Sequence, residues 1–172
     1  MDGRLAKLGG CRVGGVAGGT MKCDYAVNEF DVDACVDYRA DGFSTRLAAP
    51  TPAGIDIYFE IVEGAIFDAV LPHRNPFARI PLCGMTSDYN STEHFGIRNL
   101  GVALNNRIKM QGFIISYHLD RWSEALTGLT RLVRDGQIKY RETITQGLEN
   151  APKTLVGLFK RENNGKQPVR LT

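Results

Sequence analysis

Short apolar runs rich in β-branched residues alternate with helical patterns along nearly the whole chain. Strands are predicted at residues 11–17, 34–37, 55–61, 79–83, 108–116, 139–143 and 168–171. Helices are predicted at residues 21–30, 42–49, 64–71, 98–106 and 122–133, with a last one capped by Asn150. This alternation is typical of βαβ units and predicts an α/β fold with a mostly parallel sheet. We expect the run 55–61 to be a buried strand in the middle of that sheet.

The length and composition are those of a single globular domain. The chain has 172 residues, of which 43% are hydrophobic and 23% charged, and a chain of this size buries roughly 70% of its unfolded surface. No apolar run reaches the roughly 18 residues of a membrane span, and the N-terminus lacks the layout of a signal peptide. We therefore expect a cytoplasmic protein that does not contact membranes.

The distribution of charges argues against nucleic-acid binding, and the spacing of cysteines and histidines argues against metal binding. Residues 98–172 carry 13 basic and 6 acidic side chains, but these are scattered singly rather than clustered with aromatics, so we expect no nucleic-acid partner. The four cysteines contain no C-x-x-C pair, and the three histidines lack metal-ligand spacing. We expect reduced thiols and no metal site.

The first residues of the chain are unusual. Residues 4–8 have a helical pattern and the pair Gly9 and Gly10 resembles its C-terminal stop, but nothing upstream begins that helix. A helix this short is well below the roughly 12 to 15 residues at which isolated helices become marginally stable. We expect it to pack against other elements. We interpret it as the remainder of a longer helix, with a complete short helix as the alternative.

The glycines near the start do not form the dinucleotide-binding fingerprint G-x-G-x-x-G. The nearest candidates, Gly14, Gly15, Gly18 and Gly19, have the wrong spacing and lie within and after a predicted strand, so they are a weaker candidate for a phosphate loop.

The end of that strand carries a different signal. If residues 12–19 are the second strand of a dinucleotide-binding unit, their end meets the adenosine ribose, where NAD enzymes place an acid. Here the strand ends in glycines with Lys22 just beyond, which favours a ribose 2′-phosphate and therefore NADP(H). The alternative is that Lys22 is an ordinary lysine in the first turn of a helix.

Five segments carry a family resemblance. They are VAGGTMKC (16–23), DACVDY (33–38), GIDIYFE (54–60), FARIPLCG (77–84) and GLENAP (147–152). Together they resemble the zinc-independent medium-chain reductases, and more narrowly the NADP-dependent 2-alkenal and prostaglandin (leukotriene B4 dehydrogenase-like) reductases. The similarity runs from Gly3 to Leu171 and covers the latter half of that family's chain.

The resemblance implies a fold and a domain organisation. The fold is a Rossmann-like doubly wound parallel sheet that lacks its first strand and its glycine-rich loop. Residues 1–172 would then be a partial NADP-binding domain without the catalytic domain. In the strand order 3-2-1-4-5-6, the missing strand leaves an empty position between Val13 and Asp56.

The resemblance also implies an activity, which is NADP(H)-dependent reduction of the C=C bond of a small α,β-unsaturated aldehyde or ketone. The implied cofactor-binding residues are Gly18, Lys22, Tyr38, Cys83, Gly84, Ser87, Tyr89, Phe113, Ile114, Ile115 and Asn163. Hydride transfer to the β-carbon leaves negative charge on the carbonyl oxygen, and the hydroxyl of Tyr89 is the implied catalytic donor. From the residues alone, Tyr89 is equally an ordinary loop tyrosine. Relatives form homodimers through the strand that begins here at Lys109 and ends at Ser116.

One departure from the family leaves a second function open. Where relatives continue Asn-Val-Gly-Gly, this chain has Ile61, Val62, Glu63 and Gly64, so a bulky anion replaces a glycine that approaches the cofactor. The alternative is therefore a degenerate, inactive Rossmann domain that acts as a homo-association module. A third class, a Rossmann-like methyltransferase, needs an early glycine loop and an acidic ribose ligand that are not found.

Overall fold

The computed structural model describes residues 2–87, 92–93, 95–160, 162–163 and 165–171. The chain divides into two compact units, Met1–Arg131 and Leu132–Thr172. The first unit contains α1 (Asp2–Leu8), β1 (Gly14–Ala17), α2 (Thr20–Phe30), β2 (Ala34–Asp37), α3 (Phe43–Arg46), β3 (Ile55–Ile57), α4 (Gly64–Val70), β4 (Arg74–Leu82), α5 (Gly101–Asn105) and β5 (Lys109–Gly112). The division falls within α6 (Trp122–Arg134), and β6 (Thr145–Gln146), α7 (Ala151–Phe159) and β7 (Val169–Arg170) belong to the second unit.

All strand pairings in the described part of the chain are parallel. β1 pairs with β2, β4 lies between β3 and β5, and β6 pairs with β7. The predicted α/β class with parallel strands is therefore confirmed. The strands form three small sheets, and within the described residues β1 and β3 are not hydrogen-bonded to each other. That gap agrees with an empty strand position between Val13 and Asp56.

Two apolar clusters form the core of the first unit. Val36, Leu47 and Val70 form one cluster, which Val16 and Ile55 contact from β1 and β3. The other contains Phe67, Leu71 and Ile80, and Tyr58 packs against both clusters.

The segment that follows Gly54 is not the fully buried central strand that its sequence predicts. The exposed fractions of Ile57, Phe59 and Ile61 are 53%, 43% and 45%, whereas that of Glu60 is 1%. Because alternate side chains of a strand point to opposite faces, one face is buried and the other is open. β3 pairs only with β4 among the described strands, and β4 takes the central place in their sheet.

The short helix α1 packs against the rest of the first unit, as expected. The Arg4 guanidinium lies 2.7 Å from the Asp31 carboxylate, and the Lys7 ammonium lies 2.8 Å from that of Asp33. The helix stops at the glycine pair, where Gly10 has a positive φ of 81°. Two ion pairs thus hold a helix that is too short to form alone.

Several element boundaries differ from the predicted ones. The predicted strand 108–116 ends at Gly112, because the chain turns into a short 3-10 segment at Ile115–Arg121. The predicted strand 139–143 is replaced by β6 (Thr145–Gln146), and α2 begins at Thr20, one residue before the predicted start. The helices α6 and α7 and the strand β2 lie where the sequence predicts them.

The second unit is small and organised around one parallel strand pair. Thr145 pairs with Val169 and Gln146 with Arg170, and α7 follows β6. The side chain of Ile138 is 2% exposed, and its amide donates to the carbonyl of Leu132 at 3.0 Å.

Candidate functional site

The predicted site residues of the first unit follow the carboxyl ends of its parallel strands. Gly18 follows β1, Tyr38 follows β2, Cys83 and Gly84 follow β4, and Phe113 follows β5. The carboxyl edge of parallel strands is where α/β proteins bind ligands. The residues form two groups, the β1–β2 corner (residues 18–22 and 37–39) and the β3–β4 corner (residues 60–64 and 83–87).

At the β1–β2 corner, Tyr38 lies directly against the backbone of Gly18. A β-carbon placed on Gly18 would lie 2.9 Å from the Tyr38 hydroxyl oxygen and 3.0 Å from its ring. No side chain fits there without displacing the tyrosine, so the glycine is required by close approach. The structure therefore brings together two of the predicted cofactor residues.

The carboxylate of Asp37 organises this corner. Its Oδ1 accepts the amide hydrogens of Gly19 at 2.8 Å and Arg39 at 2.9 Å. These two hydrogen bonds, with the nearby Arg39 and Arg46, lower the pKa of Asp37 below its usual value. The acid at the end of β2 therefore binds backbone amides and fixes the loop that leads into α2.

Two cationic residues, Lys22 and Arg39, belong to the same corner. Lys22 is the third residue of α2, and its amide donates to the carbonyl of Gly19 at 3.1 Å. The Arg39 guanidinium carbon lies 5.8 Å from the centroid of the Tyr38 ring, within the range of a cation–π contact. The combination of a glycine, an aromatic ring and cations suits an anionic ligand with a flat or ring-shaped group.

At the β3–β4 corner, two backbone segments hold each other through hydrogen bonds. The amide of Cys83 donates to the carbonyl of Glu60 at 2.8 Å, and that of Ser87 donates to the carbonyl of Val62 at 2.9 Å. A β-carbon on Gly84 would lie 3.2 Å from the carbonyl oxygen of Ile61. Cys83, Gly84 and Ser87 thus line one continuous surface beside residues 60–64.

The buried side chain of Glu60 fixes the backbone conformation of that surface. Its side chain is 1% exposed, and its Oε1 accepts the amide hydrogens of Val62 at 2.5 Å and Glu63 at 2.8 Å. A buried carboxylate that accepts two amides is a strong local constraint. Burial, followed by the negative charge of Glu60, raises the pKa of the neighbouring Tyr58.

The replacement of glycine by Glu63 is visible in the backbone. Glu63 has φ 66° and ψ −165°, a region that almost only glycine occupies. The next residue, Gly64, also has a positive φ, and a β-carbon there would lie 3.2 Å from Ser87 Oγ and 3.9 Å from Phe95. The segment therefore keeps the backbone of a two-glycine turn although it contains only one glycine.

Asp68 anchors the chain beyond this corner. Its Oδ1 accepts the amide hydrogens of Arg98 and Asn99, both at 2.7 Å, and its Oδ2 accepts from Asn99 Nδ2 at 3.1 Å. The carboxylate thus holds residues 98–99 to α4.

The residues after β5 are open to solvent. The exposed fractions of Phe113, Ile114 and Ile115 are 36%, 61% and 55%. The amide of Phe113 donates to the carbonyl of Leu82 at 2.9 Å, and its ring stacks on His118 with centroids 4.9 Å apart. These residues therefore extend the carboxyl edge past β4 and present an apolar surface.

Two predicted site residues are not placed with the others. Tyr89 lies outside the described residues. Asn163 belongs to the second unit, where its Nδ2 donates to the carbonyl of Gly165 at 2.7 Å.

Sequence reasoning missed the two carboxylates that shape the corners, Asp37 and Glu60. Asp37 is the last residue of β2 and Glu60 follows β3, so an acid at or just beyond a strand end is a usable signal. Their role as acceptors for backbone amides depends on turns that the pattern of residue types does not specify.

Within the described ranges, no group of three or more His, Cys, Asp and Glu side chains could hold a metal ion. In the same part of the chain, none of the helices combines the length and apolar character that crossing a bilayer requires.

Parallel strands joined by helices, with glycines and cations at their carboxyl edge, define a nucleotide-binding α/β domain of the Rossmann type. The chain belongs to the zinc-binding dehydrogenase family, whose sequence profile matches residues 1–131.

Two relatives whose names state an activity are similar to nearly the whole of this chain. The chain is 47% identical to the NADPH-dependent curcumin reductase of Escherichia coli, over 98% of this chain and 51% of that protein. It is 38% identical to the 2-alkenal reductase (NADP(+)-dependent) of Nicotiana tabacum, over 99% of this chain and 50% of that protein. The chain thus spans about half the length of these curated relatives, and they confirm the family resemblance carried by the five segments.

A solved structure confirms the fold. The crystal structure of CurA from Vibrio vulnificus in complex with NADPH superposes with a TM-score of 0.92 at 44% sequence identity, covering 99% of this chain and 52% of that one. The Rossmann-like assignment therefore holds although the strands form separate small sheets here.

Proposed function

We propose that this chain is the NADP(H)-binding half of a reductase that reduces the C=C bond of small α,β-unsaturated aldehydes or ketones. The observation that carries the proposal is the β1–β2 corner, where Tyr38 covers Gly18 and Asp37 binds backbone amides. The relatives named for NADPH-dependent curcumin reduction and 2-alkenal reduction support it.

The β1–β2 corner fits the adenosine end of NADP(H). Gly18 leaves space that any β-carbon would fill, the Tyr38 ring offers a stacking surface, and Lys22 and Arg39 supply positive charge for a 2′-phosphate. The amides of Gly19 and Arg39 occupy Asp37 Oδ1. That arrangement favours a phosphorylated over an unphosphorylated ribose.

The β3–β4 corner fits the other end of the cofactor. Cys83, Gly84 and Ser87 would lie along its ribose and nicotinamide, and Ser87 Oγ is buried without a hydrogen-bond partner among the described atoms. The backbone of Phe113, Ile114 and Ile115 would hold the carboxamide, and Asn163 would add a late contact. Glu63 does not fit this end of the cofactor, because its side chain adds bulk and negative charge to the surface.

When bound, NADPH supplies the hydride that reduces the alkene. The chain's own part is to hold the nicotinamide end in place and to stabilise the charge that develops on the carbonyl oxygen of the substrate. We assign that stabilisation to a hydrogen bond donated by the hydroxyl of Tyr89.

The domain organisation is part of the same proposal. Residues 1–172 would form a partial NADP-binding domain, with a further strand between β1 and β3 and a catalytic domain contributed by sequence outside these residues. We place the protein in the cytoplasm, without nucleic-acid or membrane partners. It would form a homodimer through the exposed edge from Lys109 to Ser116.

Calorimetric titration with NADPH and NADH tests the cofactor assignment. NADPH should bind more tightly, and Lys22→Ala should weaken NADPH by about tenfold or more with little effect on NADH, because a charge-assisted contact contributes about 1.5–3 kcal/mol. Lys153→Ala is the matched control, since Lys153 is likewise the third residue of a helix. No binding of NADPH at millimolar concentration, or equal binding of both cofactors, would contradict the assignment.

One observation favours a second function, that of a homo-association module. Glu63 disturbs the cofactor surface while the edge of β5 exposes Met110, Ile114 and Ile115. Sedimentation velocity separates the two functions. A stable dimer that binds no NADPH supports association alone.

A further inference from the structure

Two cysteines from different elements of the first unit lie in direct contact. Cys23 belongs to α2 and Cys35 to β2, and their Sγ atoms are 2.9 Å apart. Both are free thiols. The contact joins residues 12 positions apart, so it is a tertiary contact between a helix and the strand on which that helix packs.

The surroundings of the pair hold the two sulfur atoms in place. The side chain of Cys23 is 7% exposed, while Cys35 is half-buried. A β-carbon on Gly15 would lie 3.4 Å from Cys35 Sγ, so this glycine leaves room for the sulfur on the neighbouring strand. Cys35 also lines an open cavity of about 380 Å³. Cys35 is therefore the member of the pair that a small solute reaches first.

We propose that Cys23 and Cys35 are a site of reversible oxidation that a peroxide converts into a disulfide. Cys35 Sγ attacks one peroxide oxygen, the O–O bond breaks, and an alcohol or, from hydrogen peroxide, water leaves as Cys35 becomes a sulfenic acid. Cys23 Sγ then attacks Cys35 Sγ, the S–O bond breaks and water leaves. The two thiols together lose two electrons and two protons, and the peroxide is reduced.

The reactivity of the Cys35 thiol determines the rate of this oxidation. Burial, and then the hydrogen bond that the Cys35 thiol donates to Cys23 Sγ, raise the pKa of Cys35 above its usual value, and thiolates are the reactive form. The first attack on Cys35 is therefore slow. Because the partner sulfur is already in contact, closure of the disulfide outruns further oxidation of Cys35 once the sulfenic acid forms.

The site adjoins the β1–β2 corner. Cys23 directly follows Lys22, and the strand that carries Cys35 ends next to Tyr38. A disulfide would tie α2 to β2 beside the two residues assigned to the 2′-phosphate. This consequence rests on the proposed function, whereas formation of the disulfide does not.

Peptide mass spectrometry after treatment with hydrogen peroxide tests the proposal. Trypsin cleaves after Lys22 and Arg39 but nowhere between them, so one peptide, residues 23–39, carries both cysteines. We expect this peptide to lose two hydrogen atoms and to resist alkylation at both sulfurs until dithiothreitol restores them. Cys11 and Cys83 fall in separate tryptic peptides and report oxidation of single thiols.

Cys23→Ser and Cys35→Ser are the control variants. Each should abolish the loss of two hydrogens and instead give oxygen adducts on the remaining cysteine. Oxygen adducts on residues 23–39 of the unaltered protein, without the paired loss, would overturn the proposal, and that result does not depend on the variants folding. Persistence of the paired loss in either variant would overturn it as well.

A second readout tests the link to the cofactor separately. If the protein binds NADPH, oxidised and reduced samples should differ in affinity by about threefold or more. Equal affinities would overturn the link to the β1–β2 corner while the peptide result stands on its own.

Discussion

Glu63 holds a backbone conformation that costs free energy for any residue with a β-carbon. Its φ of 66° and ψ of −165° lie in a region that costs about 1–3 kcal/mol for a non-glycine residue. Glu63→Gly should therefore raise the free energy of unfolding by about 1 kcal/mol, after allowance for the greater chain entropy of unfolded glycine. Urea unfolding measures the change.

A glutamate with ordinary helical geometry provides the control for this experiment. Glu124 lies in the first turn of α6, and Glu124→Gly should lower the free energy of unfolding by about 1 kcal/mol because glycine disfavours helices. Opposite signs for the same substitution identify the backbone as the cause. If Glu63→Gly also destabilises the protein, Glu63 makes side-chain interactions that outweigh its strain.

Arg74 is a buried cation, and among the described atoms no hydrogen bond from its guanidinium offsets the cost of removing the charge from water. The residue is 3% exposed, and none of its three guanidinium nitrogens has a hydrogen-bond partner among the described atoms. Burial lowers the pKa of Arg74 to about 10, so it stays charged at neutral pH. Arg74→Met should raise the free energy of unfolding by about 1 kcal/mol, even though the cation–π contact with Tyr58 at 5.0 Å is lost.

The control for Arg74 is an arginine on the surface. Arg131 is an exposed residue of α6, and Arg131→Met should change the free energy of unfolding by less than about 0.5 kcal/mol. Chemical denaturation of both variants at neutral pH makes the comparison. A clear loss of stability in Arg74→Met would mean that the buried charge is stabilising.

At the scale of elements, α1 depends on an ion pair that acid removes. Asp33 accepts from Lys7 at 2.8 Å and from the amide of Val13 at 2.7 Å, and these two hydrogen bonds lower the pKa of Asp33 below 3.8. A lowered carboxyl pKa contributes stability that is complete above the unfolded value and is lost as the pH falls through the folded value. We therefore expect α1 to detach as the pH falls below about 4.

Hydrogen-exchange protection of the α1 amides, corrected for intrinsic rates, measures this detachment. In Asp33→Asn the protection should already be low at neutral pH, and it should no longer fall on acidification. Asp24→Asn, an exposed acid on α2, should behave like the unaltered protein. Protection in the unaltered chain that is constant down to pH 3 would rule out Asp33 as the controlling group.

The sequence predicts helices and strands well where side-chain periodicity decides them. β2 (Ala34–Asp37) lies at the predicted residues, and α6 follows the apolar spacing from Trp122 to Val133. Burial is predicted less well, because a continuous apolar run does not show which other elements cover it. For that reason the segment from Ile55 to Ile61 is an edge with one open face rather than a central strand.

For the candidate site, residue types and family resemblance indicate positions but not contacts. The resemblance predicts Gly18 and Tyr38 at the same ligand, and the structure places them in contact. The roles of Asp37 and Glu60 depend on which backbone amides the turns bring within reach of their carboxylates. Such hydrogen bonds follow from loop geometry, which residue patterns do not encode.

At the scale of the whole molecule, the first unit exposes several large apolar side chains. Ile57, the last residue of β3, shares one open face with Phe59 and Ile61, which follow it, and Trp122 and Leu126 add exposed area on α6. Among the described strands, β1 and β3 of this unit each have one edge without a hydrogen-bonded neighbour. Apolar faces and unpaired edges of this kind are covered in stable proteins by another element or another chain.

The open face of residues 57–61 should therefore contribute to self-association beside the edge from Lys109 to Ser116, and the neighbouring residues Tyr58 and Phe59, which lie on opposite faces of this segment, test the contribution. Phe59→Lys places a charge on the open face and should shift the protein towards monomer in sedimentation velocity, with little loss of stability because Phe59 is 43% exposed. Tyr58→Lys should unfold the unit, because the partly buried Tyr58 packs against both apolar clusters and stacks on Phe67 with ring centroids 6.2 Å apart. If Phe59→Lys associates as strongly as the unaltered chain, a different surface drives association, and the exposed edge of β5 becomes the next to test.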